Sequence, residues 1–225
     1  MQKQTKQVLE QAARLQKLVP DAILVGGSAA SIYAEHRYSL DHNHILADLE
    51  SKFDLILDAL EREGDWITNR VVYGKIILGE LGGIEAGLRQ LIRKKPLEFE
   101  KIQIGELNLN VPTIEEITRI KAFLIVKRNQ MRDYLDFAAL SDKMGILNSV
   151  KVIDKIDDYY TDESKNDKPL LSQLLRQLSE PNPKDKNNIE FLSNYKGISE
   201  KWNNWDSIVE ICREIARKTI ENCDA

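Results

Sequence analysis

Apolar residues recur at helical spacing at the start of the chain. Val8, Ala12, Leu15 and Leu18 fall on one face of residues 3–18, and Pro20 ends the run. Ala22–Val25 is uninterrupted and apolar, as a buried strand requires. It stops at Gly26-Gly27, after which Ser28 reads as the cap of a short helix over 29–35. Residues 38–46 alternate only in part. As a strand they put Asp41, Asn43 and Ile45 on one face and His42 and His44 on the other. Residues 50–63 predict an amphipathic helix that buries Phe53, Leu55, Ile56, Leu57 and Leu60.

From Trp66 to Val111 the pattern shortens to β-prone runs, WITNRVV, KIILGEL, IEAGLRQLI, FEKIQI and LNLNV, several of them separated by glycine. These predict strands that extend one mixed sheet. Thr113-Ile-Glu-Glu116 after Pro112 has the form of a capping box and opens a helix to about Val126. A second helix runs from about Gln130 to Met144 and is closed by Gly145. Beyond it, 148–160, 169–178 and 199–222 read as charged helices, and the proline-containing stretch 179–188 as a loop. The expectation is an α/β (α+β) core over residues 1–145 with a mixed sheet, followed by a helical region over 146–225.

Composition narrows the class. Hydrophobic residues make up 42% of the 225 and charged residues 30%, enough for a sizeable core in one large domain or a domain with an appendage. The net charge of −4 argues against nucleic-acid binding driven by global charge and leaves a local basic groove open. No stretch has the apolar length of a membrane span, and the first eighteen residues lack the apolar centre of a signal peptide. Cys212 and Cys223 are too far apart for a metal knuckle and read as unpaired thiols. The expected location is the cytoplasm. All three histidines, His36, His42 and His44, fall within nine residues, either by chance or because the stretch is a polar site, and the glycines and serine just before it favour the second reading.

The order strand, Gly-Gly-Ser, short helix, acidic strand has a chemical logic. Glycines let backbone approach a phosphate, and N–H groups at the following helix start attract anions. Ser28 can add a hydrogen bond, and a carboxylate on the next strand can hold Mg²⁺ against the same phosphates. Two carboxylates at i and i+2 can bridge two metals, which clamp the attacking and leaving oxygens of phosphoryl transfer.

On these residues the segment LVGGSAASIYAEHRYSLDHNHILADL resembles the first motif of the AbiEii/AbiGii-type nucleotidyl transferase toxins, of the polymerase β-like superfamily: Gly-Ser, a spacer, then Asp-x-Asp. VPTIEEITRIKAFLIVKRNQMRDYLDFAAL is similar to that family's helical segment, with a lysine ahead of an Arg-Asp-x-x-Asp cluster. The resemblance spans roughly residues 20–145. It implies a polymerase β-like nucleotidyltransferase core that transfers a nucleoside monophosphate from an NTP to an RNA (tRNA) or protein acceptor. It also implies a toxin of a toxin–antitoxin or phage-defence system, with an antitoxin protein as a partner. Asp41 and Asn43 would be the metal-binding and catalytic pair for Mg²⁺. Gly26, Gly27 and Ser28 would hold the nucleotide, and Lys121 and Arg128 would meet its triphosphate.

One position departs from the pattern: Asn43 stands where the family has aspartate. An amide carries no charge to offset Mg²⁺ and bridges two cations poorly. Asn43 then reads as an introduced substitution, as the mark of a degenerate nucleotide-binding regulatory protein, or as a loss offset by His44 or Asp48. Against the functional reading of each residue stands a plain one. Gly-Gly-Ser can be a tight turn, His42 and His44 structural, Arg37 and Ser39 surface groups, and Lys121, Arg128 and Arg132 a solvated stripe. Asp133 and Asp136 would then pair with those cations or face water. A third carboxylate would come from Glu80, Glu85 or Glu98, among which periodicity does not choose. Trp202 and Trp205 read as helix-packing residues. An interaction module whose helical tail binds a protein is a further class.

Overall fold

The computed structural model describes residues 3–161, 168–185 and 192–223. Residues 186–188 of the expected loop and the Cys223 side chain lie outside the described set. The chain divides into two compact units. The first comprises 1–29, 38–92 and 96–113, and the second 30–37, 93–95 and 114–225. The boundary expected after residue 145 therefore falls at 113/114, and two short upstream segments join the second unit.

The first unit is built on a sheet of five strands in the order β1-β2-β5-β4-β3. These are β1 (Ile23–Val25), β2 (His42–Leu46), β3 (Trp66–Val72), β4 (Ile76–Leu81) and β5 (Ile84–Gln90). β2 and β5 run parallel; the other neighbours are antiparallel. One face carries His42, His44, Leu46, Ala86, Leu88, Ile77 and Leu81, all buried. Helix α1 (Lys3–Leu18) adds Leu15 to this core, and α3 (Phe53–Glu61) adds Phe53, Ile56 and Leu60. Leu55, expected in the buried set, is 70% exposed, because the apolar stripe of α3 is narrower than its composition suggests.

The last two β-prone runs form β6 (Phe99–Ile104) and β7 (Leu107–Pro112), a separate antiparallel ladder rather than an extension of the sheet. α1 holds β7 through Gln16. Its amide donates to the Asn110 carbonyl at 2.9 Å and accepts from the Asn110 N–H at 2.8 Å, as a neighbouring strand residue would.

In the second unit, α4 (Ile114–Arg128) and α5 (Met131–Met144) pack with α6 (Ile146–Asp154), α8 (Leu170–Ser179) and α9 (Trp205–Cys223). Short α7 (Ile156–Tyr159) leads toward α8. Phe123, Tyr134, Leu135, Phe137, Ile153, Leu174, Trp202 and Ile215 are among the members of its core. Trp202 is buried, and Trp205 meets the Tyr134 ring edge-on at 6.0 Å, so both tryptophans pack helices as expected. Gly145, at φ 92°, closes α5.

The start of α4 departs from a capping box. The Thr113 N–H donates to the Glu98 carbonyl at 3.0 Å, and the Glu116 carboxylate lies on two guanidiniums, Arg93 and Arg119. Cys212, a free thiol, is fully buried in this unit, and burial raises its pKa.

Candidate functional site

β1 ends at Val25, and the helix begins at once: α2 spans Gly26–Ala34, so the Gly-Gly-Ser segment is its first turn rather than a loop ahead of it. Gly26 makes the sharp change of direction at φ 79°, where a side chain would be strained. Ser28 is not a helix cap. Its hydroxyl donates to the Asp41 carbonyl at 2.5 Å and ties the α2 turn to the residue before β2. That single hydroxyl hydrogen is thus committed within the protein.

Asp41 sits at the mouth of this corner. Its Oδ1 accepts from the Ser39 hydroxyl and its Oδ2 from the Asn43 amide, both at 2.6 Å. Ser39 is therefore a buried neighbour of Asp41 and no surface group. Strand alternation holds as expected: His42 and His44 are wholly buried on the core face, while Asn43 on the other face is half-buried.

Pairing then fixes what surrounds Asn43. Val25 lies opposite it on β1 and Gly87 on β5. A Cβ on Gly87 would come within 2.5 Å of Asn43 Oδ1 and 3.0 Å of Leu78 Cδ2, so glycine at this register position makes room for the residue-43 side chain. The parallel register starts at His42 and Ala86; carried back one residue, to Asp41 just ahead of β2, it sets Glu85 beside that aspartate. Across β4, Glu85 faces Glu80. Register, which sequence periodicity cannot supply, distinguishes Glu85 and Glu80 from Glu98.

The other expected residues lie in the second unit. Lys121 is 2% exposed, and its Nζ is 2.6 Å from Asp136 Oδ2. The Arg37 guanidinium clamps the same carboxylate through Nε at 2.7 Å and Nη2 at 2.9 Å, and His36 Nε2 donates to it at 2.6 Å. Arg37 is thus a buried ion-pair partner and no surface group. Burial alone would raise the Asp136 carboxyl, but the Arg37 and Lys121 cations with the His36 hydrogen bond hold it well below the usual carboxylate range. Desolvation lowers His36 in spite of Asp136, so the imidazole is neutral near pH 7.

Arg128 pairs with the fully buried Asp133 at 2.6 Å, its own side chain 36% exposed. The basic stripe expected over Lys121, Arg128 and Arg132 is broken. Asn129, at φ 52°, ends α4, and Arg132 sits exposed on α5 against Gln130. The three histidines likewise part company: His36 belongs to the Asp136 cluster, and His42 and His44 to the core of the sheet.

A two-metal site needs bridging carboxylates. Among the described residues no three His, Cys, Asp or Glu side chains converge on a metal position. The donor set at the corner is one carboxylate, both of whose oxygens accept hydrogen bonds, and one amide. Those donors fit one divalent ion held loosely, and they do not fit a two-metal clamp.

The mixed five-stranded sheet followed by packed helices is a fold shared with solved structures described as nucleotidyltransferases. The solution structure of the antibiotic-resistance factor ANT(2'')-Ia is similar with a TM-score of 0.50 at 11% identity, over 66% of this chain and 90% of that one. A crystal structure of an H. pylori protein assigned to the nucleotidyltransferases matches over 99% of both chains, with a TM-score of 0.50 at 14% identity. No protein-family model matches the chain. In sequence it is similar to the "Heme uptake protein MmpL11" of Mycobacterium tuberculosis, 25% identical over 243 residues that cover 96% of this chain. The chain spans only 23% of the length of that relative. Among the described residues no helix is long and apolar enough to cross a membrane.

Proposed function

We propose that this protein is a nucleotidyltransferase of the AbiEii/AbiGii type, which moves a nucleoside monophosphate from an NTP to an RNA (tRNA) or protein acceptor and releases pyrophosphate. The observation that carries the reading is the register of the sheet. It sets Glu85 beside Asp41, and Asn43 beside the Gly26 turn, with glycine at position 87 clearing space for a side chain at 43. In this reading the first turn of α2 receives a phosphate on its N–H groups. Asp41 would hold Mg²⁺, with Glu85 as the third acidic position. The ion would supply charge neutralisation for the phosphates, and Ser39 would orient the Asp41 carboxylate.

Arg128, partly exposed, is the more accessible of the two cations assigned to the triphosphate. Lys121 would have to open its pair with Asp136 to take part. A role as a toxin with a cognate antitoxin, acting in the cytoplasm, rests on the motif resemblance.

With Asn43 in place, the chain binds nucleotide and transfers it slowly or not at all. Asn43→Asp is expected to raise incorporation of labelled NTP into total tRNA or protein by several orders of magnitude, since metal stabilisation is worth several kcal/mol and each 1.36 kcal/mol is about tenfold. Equal activity of the two forms would remove residue 43 from the catalytic set.

One observation favours a second reading, a degenerate nucleotide-binding regulatory protein. The Asn43 amide donates to Asp41 at 2.6 Å and so occupies an oxygen that a metal would need. A nucleotide-induced rise in melting temperature with no turnover in either form would select it.

A further inference from the structure

A second constellation of charge lies wholly in the helical unit and plays no part in the transferase reading. The segment 93–95 packs in that unit with α4 and α7. Between them is a cleft of about 130 Å³, lined by Arg93, Lys94, Lys95, Asp158, Tyr159 and Tyr160 together with Thr161.

The cleft is strongly one-signed. Three of its lining side chains are cationic and one, Asp158, is anionic. Behind the wall, Glu116 is shared by Arg93 and Arg119, a carboxylate and a further cation that offset each other. Asp157, next in the chain, is turned away and accepts the Leu170 and Leu171 N–H groups at the start of α8. The local balance is therefore about two positive charges on a protein whose net charge is −4.

Aromatic faces hold these cations in place. The Arg93 guanidinium lies 4.9 Å from the Tyr159 ring centroid and 5.1 Å from that of Tyr160. Arg119 is 3.6 Å and the Lys95 ammonium 3.7 Å from the Tyr159 centroid. One ring thus gathers three cations, an arrangement that is repulsive unless charge is compensated. Arg93 is 1% exposed in its side chain; its Nη2 lies 2.7 Å from Glu116 and its Nε donates to the Lys95 carbonyl at 2.9 Å, so the guanidinium is fixed in orientation at the cleft wall, whereas Lys94 and Lys95 are exposed. A buried, oriented guanidinium beside two solvent-facing ammoniums suits an oxyanion with several acceptor oxygens. The volume is well short of the roughly 300 Å³ of ordinary ligand sites, so a whole nucleotide is excluded and a single phosphate group fits.

We infer that the Arg93–Lys94–Lys95 cleft over Tyr159 is a phosphate-binding subsite, filled either by free phosphate or by one phosphodiester of a polynucleotide. It draws only on residues of the helical unit and holds whatever the outcome for the Asp41 corner.

The test uses the full chain and two probes at constant ionic strength. Inorganic phosphate is titrated while NMR follows the Arg93 Nε–H and the Tyr159 ring resonances. A saturable shift is expected, together with an affinity at least tenfold weaker in the exposed double variant Lys94→Ala/Lys95→Ala, whose melting temperature stays at the wild-type value. The second probe is a short oligouridylate without terminal phosphate. If it produces the same shifts and phosphate displaces it, the source is a polynucleotide; if only inorganic phosphate acts, the source is the free ion. Absence of a saturable shift with both probes, or equal affinity of the double variant, overturns the proposal. Failure of the Asn43→Asp form to transfer from NTP, with phosphate still bound at this cleft, would count against the transferase reading alone.

Discussion

At the scale of single residues, Asp136 concentrates the electrostatics of the helical unit. One buried carboxylate faces two cations and a neutral imidazole, so the cluster carries a surplus positive charge. Removing the carboxylate leaves Arg37 and Lys121 buried without their counter-ion. Asp136→Asn should therefore cost about 3–5 kcal/mol in urea unfolding. Lys121→Met should cost less, because Arg37 still clamps Asp136 bidentately and a surplus charge is gone. If Lys121→Met were the more damaging change, the ammonium would hold more of the cluster than its geometry implies. The same variant tests the triphosphate assignment: weaker NTP binding at little cost in stability keeps Lys121 in the site, and unchanged binding makes it scaffold. The spacing of Lys121, Arg128, Asp133 and Asp136 leaves the aspartates either paired with the cations or facing water, and the structure pairs both. That Lys121 is 2% exposed was not legible, because helical periodicity reports a face and not what covers it.

At the scale of elements, β3 and β4 pack closely through a glycine. A Cβ at Gly79 would stand 2.4 Å from the Ile67 carbonyl and 2.5 Å from Trp66 Cζ2, next to the register shift between Thr68 and Arg70. A backbone carbonyl and a buried indole cannot both yield, so Gly79→Ala should destabilise by about 1–3 kcal/mol or more. Gly64→Ala, with open space around its Cβ, should stay within about 0.5 kcal/mol, and comparing the two urea midpoints checks the argument. The strands themselves could be read almost run for run, since glycine and alternating polarity delimit each. Their grouping could not: β6 and β7 leave the main sheet although their composition matches the others. For the same reason Asp41, Asn43 and Ser28 could be brought together from chain order, whereas Glu85 needed the parallel pairing of β2 with β5. Ser28 looked like a helix cap because serine in that position usually is one; its bond to the Asp41 carbonyl is tertiary.

At the scale of the whole molecule, stability should depend on pH through the core face of β2. His42 is lowered to about 4 by burial, against a weaker pull from Asp41, and burial with His42 nearby takes His44 well below its ordinary 6.5. Both are neutral when folded and take up protons more readily when unfolded. Their effect is absent above about pH 6.5 and grows as pH falls from there toward 4, by roughly 3 kcal/mol for His42 alone. Urea unfolding at pH 7.5, 6 and 5 should show the decline, and His42→Phe should flatten it. Asp136 acts in a lower window: its depressed pKa adds stability that is full above about 3.8 and is lost only as pH drops further.

The division of the chain has a consequence for the order in which the protein is made. The second unit takes in residues 30–37 and 93–95, among them His36, Arg37 and Arg93, yet most of it is encoded after residue 113. Those early segments emerge from the ribosome with their partners still untranslated: Asp136 follows Arg37 by 99 residues, about 5–20 s at 5–20 residues per second. For that interval His36 and Arg37, destined for burial, stay in water, while the strands of the first unit's sheet are already made. Folding during synthesis is therefore expected in two stages, with the Asp136 and Glu116 pairs formed only in the second.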